Sequence, residues 1–270
     1  MLSALALAIG CLAGVLGALF GLGGGVVVVP ALEFLLPFVG KHIQLQQAVA
    51  ISQVGVLAVG LSATSIYLSQ RRVHVRLGVL LSPLALLGGI LGSHLGLFLP
   101  AVYVAFVFAG LLVYSAYRMW KPSVAQRDSH RMSVSVWLFP FVAFAGLMSG
   151  LLGIGGGVVQ VPALVMLGKL DFRDAVATST WIMCITAVAN IWIYQHGGFL
   201  DARLALTVAL GILVGASLGA KLQARVSTPI LRRLFSVLML SVALSLLWKY
   251  SQIPILLSHA HAHLASRPSY

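Results

Sequence analysis

The chain has 270 residues, of which 60% are apolar and 8% are Asp, Glu, Lys or Arg. Soluble domains carry about 25% charged residues, so there is too little polar surface here to coat a water-soluble particle, and the composition points to a multi-pass membrane protein. The net charge of +12 does not indicate nucleic acid, because the 17 Lys and Arg are scattered among short gaps between apolar stretches, where membrane topology signals sit.

Ten apolar segments are predicted. In chain order they lie at about 2–22, 26–39, 44–69, 77–99 and 101–119, then at about 134–152, 158–168, 174–195, 204–220 and 230–248. The first lacks the basic n-region of a signal peptide, and its continuation is copied later in the chain, so it is expected to belong to the mature fold. The second and seventh are short. Eleven helical residues cover only about 16 Å, roughly half a hydrocarbon core. Cys11 and Cys184 both fall inside apolar segments and read as small hydrophobes without metal or redox spacing.

The chain repeats itself. Residues 14–32, GVLGALFGLGGGVVVVPAL, return at 146–164 as GLMSGLLGIGGGVVQVPAL, with twelve of nineteen positions identical at an offset of 132. Further on the offset is 127: QAVAISQ at 47–53 matches DAVATST at 174–180, Tyr67 matches Tyr194, and Gly88 and Gly92 match Gly215 and Gly219. The domains expected are a first membrane repeat (1–120), a polar linker (121–133), a second membrane repeat (134–249) and a His-containing tail (250–270). The fold class is all-α, with two repeats of about five hydrophobic segments each. Gly-rich broken or re-entrant helices interrupt both.

An odd number of segments per half makes the repeats inverted in topology. Assigning the gaps alternately to two sides places thirteen Lys and Arg on one side and four on the other. By the positive-inside rule, the loops around 71–76 and 118–131 are then cytoplasmic and both termini lie outside.

Short Gly/Pro-interrupted segments at matching places in two halves mark a transporter binding site. Three successive glycines oppose helix by about 1 kcal/mol each relative to Ala. Irregular chain at membrane depth is tolerated only where it is buried or lines a cavity. The backbone amides that open the following half-helix attract anions. The candidate binding residues are therefore Gly23, Gly24, Gly25, Gly155, Gly156 and Gly157, with polar neighbours Ser52, Gln53, Thr178, Ser179 and Thr180. Gln160 joins them as an asymmetric contact, since Val28 stands at its place in the first half. Ser and Thr in membrane helices also bond their own backbone or a neighbouring helix, and the glycines of Gly88-xxx-Gly92 and Gly215-xxx-Gly219 are expected to serve helix packing. Asn190 is deep enough for interhelix bonding, whereas His94, His196 and Lys221 are expected near the interface. Glu33 is the one acidic residue in a hydrophobic segment. It lies near the segment end, which weighs against a proton-coupling role.

The duplicated boxes at 17–32 and 149–164, with AVAISQ at 48–53 and AVATST at 175–180, resemble the TauE/SafE (sulfite exporter) family of membrane permeases over about 2–249. The resemblance implies transport of small sulfur-containing anions such as sulfite or sulfonates across the cytoplasmic (inner) membrane. The His-rich tail departs from the shared pattern.

The function expected is a secondary transporter with alternating access. The alternative is a membrane scaffold or assembly factor without transport, which would not require irregular backbone at membrane depth. No paired intramembrane carboxylates, HExxH or nucleophilic triad suggests an enzyme, so no catalytic residue, metal or cofactor is assigned. The partners expected are a small anionic solute and membrane lipid, with no nucleic acid; a homo-oligomer is compatible with the sequence. Single cysteines introduced at Ser123 and Ser269 test the topology. From outside intact cells, label should reach position 269 and not position 123; the reverse pattern would contradict the charge assignment.

Overall fold

A computed structural model describes residues 2–37, 40, 43–98, 101–120 and 135–265. The linker expected at 121–133 lies outside these residues. Among the described residues two sets of five helices follow one another. The first comprises α1 (Leu2–Phe20), α2 (Gly25–Leu35), α3 (Leu45–Ser69), α4 (Val75–Phe98) and α5 (Ala101–Trp120); the second comprises α6 (Leu138–Leu152), α7 (Gly157–Met166), α8 (Phe172–His196), α9 (Ala202–Arg225) and α10 (Thr228–Ala265). Six helices among the described residues are long and apolar enough to cross a membrane: α1, α3, α4, α8, α9 and the Thr228–Ser245 part of α10. The short segments read from the sequence are the 11-residue α2 and the 10-residue α7.

Local signals set the helix ends. Asp171 and Asp201 cap α8 and α9 by accepting the Arg173 and Leu204 amides at 3.2 and 3.1 Å, pairing donors that the first turn leaves free. α1 and α6 stop where Gly21 (φ +68°) and Gly153 (φ +70°) turn left-handed. One boundary differs from expectation: α10 does not end near 248 but runs to Ala265. Its continuation is rich in Ala and Leu, which favour helix, and the helix runs on through Pro254. The backbone of the His-containing stretch is therefore helical, while the His side chains lie outside the described residues.

The two sets interlock by exchange. The first helix of each packs against the fourth of the other, α1 on α9 and α6 on α4, while the third helices α3 and α8 meet each other and α5 meets α10. Glycine makes the exchange close. A Cβ at Gly211, Gly215 or Gly219 would strike the backbone of Leu7, Cys11 or Val15, and one at Gly88, Gly92 or Gly146 would strike that of Ala143, Leu147 or Ala85. The small-xxx-small glycines are thus backbone-to-backbone contacts.

These pairs rise together in number, so α1 runs parallel to α9 and α4 parallel to α6. Gly55 against Ile212 and Ser62 against Ser217 at 2.9 Å put α3 in the α1/α9 group. Gly78 against Trp181 and Gly96 against Tyr194 put α8 with α4 and α6. The short turn 70–74 joins α3 to α4 and opposes the two groups.

The basic loops gather at one end. Arg72 Nη1 meets Asp174 Oδ1 at 3.1 Å, with His74 Nε2 at 3.6 Å from Oδ2. Arg173 Nη2 donates to the Val226 carbonyl at 2.6 Å. Three loops rich in Arg are thereby tied together on the side that the charge count assigned to the cytoplasm.

Gly92→Ala and Gly215→Ala should each destabilise the folded protein by about 1–3 kcal/mol through overpacking against an immovable backbone. Gly110→Ala, where nothing lies within 4 Å, should be neutral or slightly stabilising. Melting of the detergent-extracted variants reads the difference.

Candidate functional site

The two glycine boxes cross at the centre of the molecule. Each follows one pattern: a left-handed glycine closes the preceding helix, one residue intervenes, and two further left-handed glycines lead into the short helix. In the first box Gly23 and Gly24 have φ of +73° and +77°; in the second Gly155 and Gly156 have +83° and +67°. Non-glycine residues pay roughly 1–2 kcal/mol for that conformation, which accounts for the first two glycines of the tripeptide in both copies.

Glycine is also required by contact. A Cβ at Gly155 would lie 3.3 Å from Gly23 Cα, and one at Gly23 would lie 3.4 Å from Gly155 Cα. A Cβ on Gly25 would run into the Gly153 carbonyl, and one on Gly157 into the Gly21 carbonyl. Each short helix therefore starts against the carbonyl that ends the long helix of the other half. Val56 of α3 lies over both boxes, and Met183, its repeat counterpart on α8, lies over Gly157.

Polar side chains fasten the crossing. Ser52 Oγ contacts the Gly153 carbonyl at 2.8 Å and the Val49 carbonyl at 2.7 Å. Ser179 Oγ contacts Val176 O at 2.9 Å and Gly21 O at 3.4 Å. The matched serines thus reach across to the opposite half's box. Tyr67 and Tyr194 were visible in the sequence only as a matched pair. In the structure Tyr67 donates to the Ala18 carbonyl at 2.5 Å and Tyr194 to the Gly150 carbonyl at 2.8 Å, holding the helix that leads into each box. Backbone carbonyls left open near a helix break are thereby paired.

The remaining candidates divide. Thr180 bonds the Val176 carbonyl of its own helix at 2.7 Å, and Thr178 Oγ1 accepts the His74 amide at 3.2 Å, towards the basic end. Gln53 Nε2 donates to the Ser149 carbonyl at 2.5 Å, and its Oε1 has no partner among the described residues. Gln160 is 0% exposed, and neither of its amide atoms has a partner there. Ser149, absent from the sequence-derived candidates, has a buried unpaired hydroxyl of the same kind.

Among the described residues, the amides of Gly24, Gly25 and Val26, and those of Gly155, Gly156 and Val158, meet no acceptor. Outside the crossing, Asn190 accepts from Ser93 at 3.1 Å. Glu33 lines a cavity of about 50 Å³ with Gly25, Val26 and Ser245. His94, His196 and Lys221 are exposed. No metal-holding group occurs among the described residues.

A family model, sulfite exporter TauE/SafE, matches residues 6–246. The chain belongs to the TauE/SafE family. Relatives include "Probable membrane transporter protein YunE" of Bacillus subtilis, 26% identical over 225 residues, a span of 75% of this chain and 82% of that protein. "Probable membrane transporter protein YdhB" of the same organism is 27% identical over 74% of this chain and 82% of its own length. A "Probable membrane transporter protein" of Xylella fastidiosa is 24% identical over 86% and 89%. No solved structure matches. This TauE/SafE chain is a multi-pass cell membrane protein and a membrane transporter rather than an enzyme.

Ser52→Ala should lower stability by about 1 kcal/mol, and Ser179→Ala by less, because only the former's bond to the opposite box is short. Thermal melts in one detergent give the ranking. Equal losses would show that the cross-box bonds do not set it.

Proposed function

We propose that this TauE/SafE transporter moves a small oxyanion, sulfite or a sulfonate foremost, by rocking its two halves about the crossed boxes. The observation that carries this reading is the pair of half-helix starts, α2 and α7. Both are buried at one point, and both keep amides without an acceptor. The positive end of a helix dipole with free amides attracts an anion. A deeply bound cation would need carboxylates, and the chain has five acidic residues in all; of these Glu33 lies in the apolar α2, and Asp174 stands in the first turn of α8, ion-paired to Arg72 at the basic end. Carbonyl coordination alone would leave the free amides without a role.

The helix directions support an inverted repeat. α1 runs with α3 and α9, while its repeat counterpart α6 runs the opposite way with α4 and α8. Two halves in opposite senses that share one central crossing can exchange conformations, opening the centre to one face and then the other. With the Arg-rich loops inside, the two access paths run from the basic end and from the opposite end. The solute is held beside the crossing of the boxes, with glycine allowing it to approach the backbone.

Counterflow in proteoliposomes with labelled sulfite and simple sulfonates should show uptake, and labelled amines and sugars should show none. Cation uptake without response to any anion would overturn the reading. Gly24→Val and Gly156→Val should abolish both binding and flux in protein that still inserts, through strain at positive φ and bulk at the amides. Wild-type affinity in those folded variants, measured by calorimetry, would remove the boxes from the site.

A further inference from the structure

The two halves match in backbone but not in polarity. Around the second box stand Gln53, Ser149 and Gln160; at the corresponding repeat positions stand Thr180, Gly17 and Val28. The three residues surround one spot. Ser149 Cβ would lie 3.3 Å from a Cβ on Gly156, the residue that caps α7. Gln160 follows Gly156 by four residues and donates its own amide to the Gly156 carbonyl at 3.0 Å. Helical Cα–Cβ bonds tilt towards the N-terminus, so its side chain leans back to the start of the helix. Gln53 is pinned there from α3 by its 2.5 Å bond to the Ser149 carbonyl.

All three side chains are closed from solvent, at 0%, 1% and 0% exposure for Gln53, Ser149 and Gln160. Between them they hold four polar atoms without a partner among the described residues: Gln53 Oε1, Ser149 Oγ and both amide atoms of Gln160. Buried polar atoms are normally paired, and leaving them unpaired is unfavourable. Beside them, the Gly155, Gly156 and Val158 amides also meet no acceptor among the described residues.

Building on the anion reading above, we infer that solute binding is one-sided, at the α7 start and not on the symmetric centre, and that the solute is an anion that also carries a hydrogen-bond donor. The centre is unsuitable because the Gly21 and Gly153 carbonyls already press on the opposite helix starts. On the flank, the α7 amides, the Ser149 hydroxyl and the Gln160 NH₂ supply donors for an oxyanion. The orientation of Gln53 is fixed by its neighbour: the Ser149 carbonyl can only accept, so the NH₂ faces it and Oε1 faces away. Oε1 can only accept. An oxyanion without a proton would leave it unpaired. An O–H or N–H on the solute satisfies it, as in a protonated oxyanion or a hydroxyl- or amino-substituted sulfonate. The first half, with Val28 and Gly17 at these places, provides no equivalent set.

The test compares two sulfonates of nearly equal size, 2-hydroxyethanesulfonate and 1-propanesulfonate, by calorimetry on the purified full chain. The wild type should bind the hydroxyl compound about tenfold tighter, the usual consequence of leaving a buried acceptor unpaired in the other complex. Gln160→Val and Ser149→Gly, each borrowing the residue of the other repeat, should weaken both ligands by about tenfold. Gln53→Thr, borrowed from Thr180, should abolish the preference. Folding is followed by size exclusion, and the wild-type ratio decides the donor requirement even where a variant fails to fold.

Equal wild-type affinities would overturn the donor requirement alone, leaving anion transport intact. Folded variants with unchanged affinities would overturn the one-sided site and assign the unpaired atoms to buried water. No binding of either sulfonate, together with no oxyanion flux, would overturn both this inference and the reading beneath it.

Discussion

In hydrocarbon a peptide group without a partner is penalised far more than at a wet surface, and this chain breaks two helices at its centre. Everything around the break answers that constraint. The carbonyls of Gly21 and Gly153 are met by Ser179 and Ser52 from the opposite half, and those of Ala18 and Gly150 by Tyr67 and Tyr194. The amides are treated differently: among the described residues those of Gly24, Gly25 and Val26, and of Gly155, Gly156 and Val158, meet no acceptor. Pairing the acceptors while sparing these donors leaves positive potential at the short-helix starts, the physical basis for the anion site proposed above.

The same break sets the packing. Because each short helix starts against the other half's carbonyl, the two halves pack as one body and each completes the environment of the other. The exchange of α1 for α6, laid on α9 and α4, extends that dependence along whole helices. Association inside a bilayer gains little from apolar burial, so close backbone approach supplies van der Waals contact in its place. Glycines at Gly88, Gly92, Gly215 and Gly219 are where that approach occurs. The close contacts lie within each parallel group, α1 with α3 and α9, or α4 with α6 and α8. The groups meet at the boxes and along α3 and α8, which leaves those contacts as the places where motion between the groups would be taken up.

A symmetric backbone with asymmetric side chains separates two tasks. Matched elements such as Ser52 with Ser179, and Tyr67 with Tyr194, build the crossing and recur in both halves. Unmatched ones, Gln53, Ser149 and Gln160, cluster beside one box and are left with unpaired atoms. A structural element is duplicated easily because the same backbone break needs the same remedy twice. A small solute without twofold symmetry has no use for a duplicated set of contacts.

From residue order alone, the apolar periods and the repeat determined a helical membrane protein of two five-segment halves, and the glycine triplets located the breaks. A helix cannot readily propagate through them, whatever surrounds it. The sequence also marked Gln160 as odd, because Val28 stands at its place. The tertiary structure decided the partners. Ser52, Ser179, Thr178 and Thr180 read equally well as solute ligands or as bonds to backbone, and only the fold shows that all four hydroxyls meet backbone groups. Ser149 carried no signal, being one more hydroxyl in an apolar helix until Gln53 and Gly156 were placed beside it. The crossing of the boxes and the exchange of α1 and α6 were likewise hidden. Glycine makes both possible by having no side chain, and a residue without a side chain says that something comes close but not what it is.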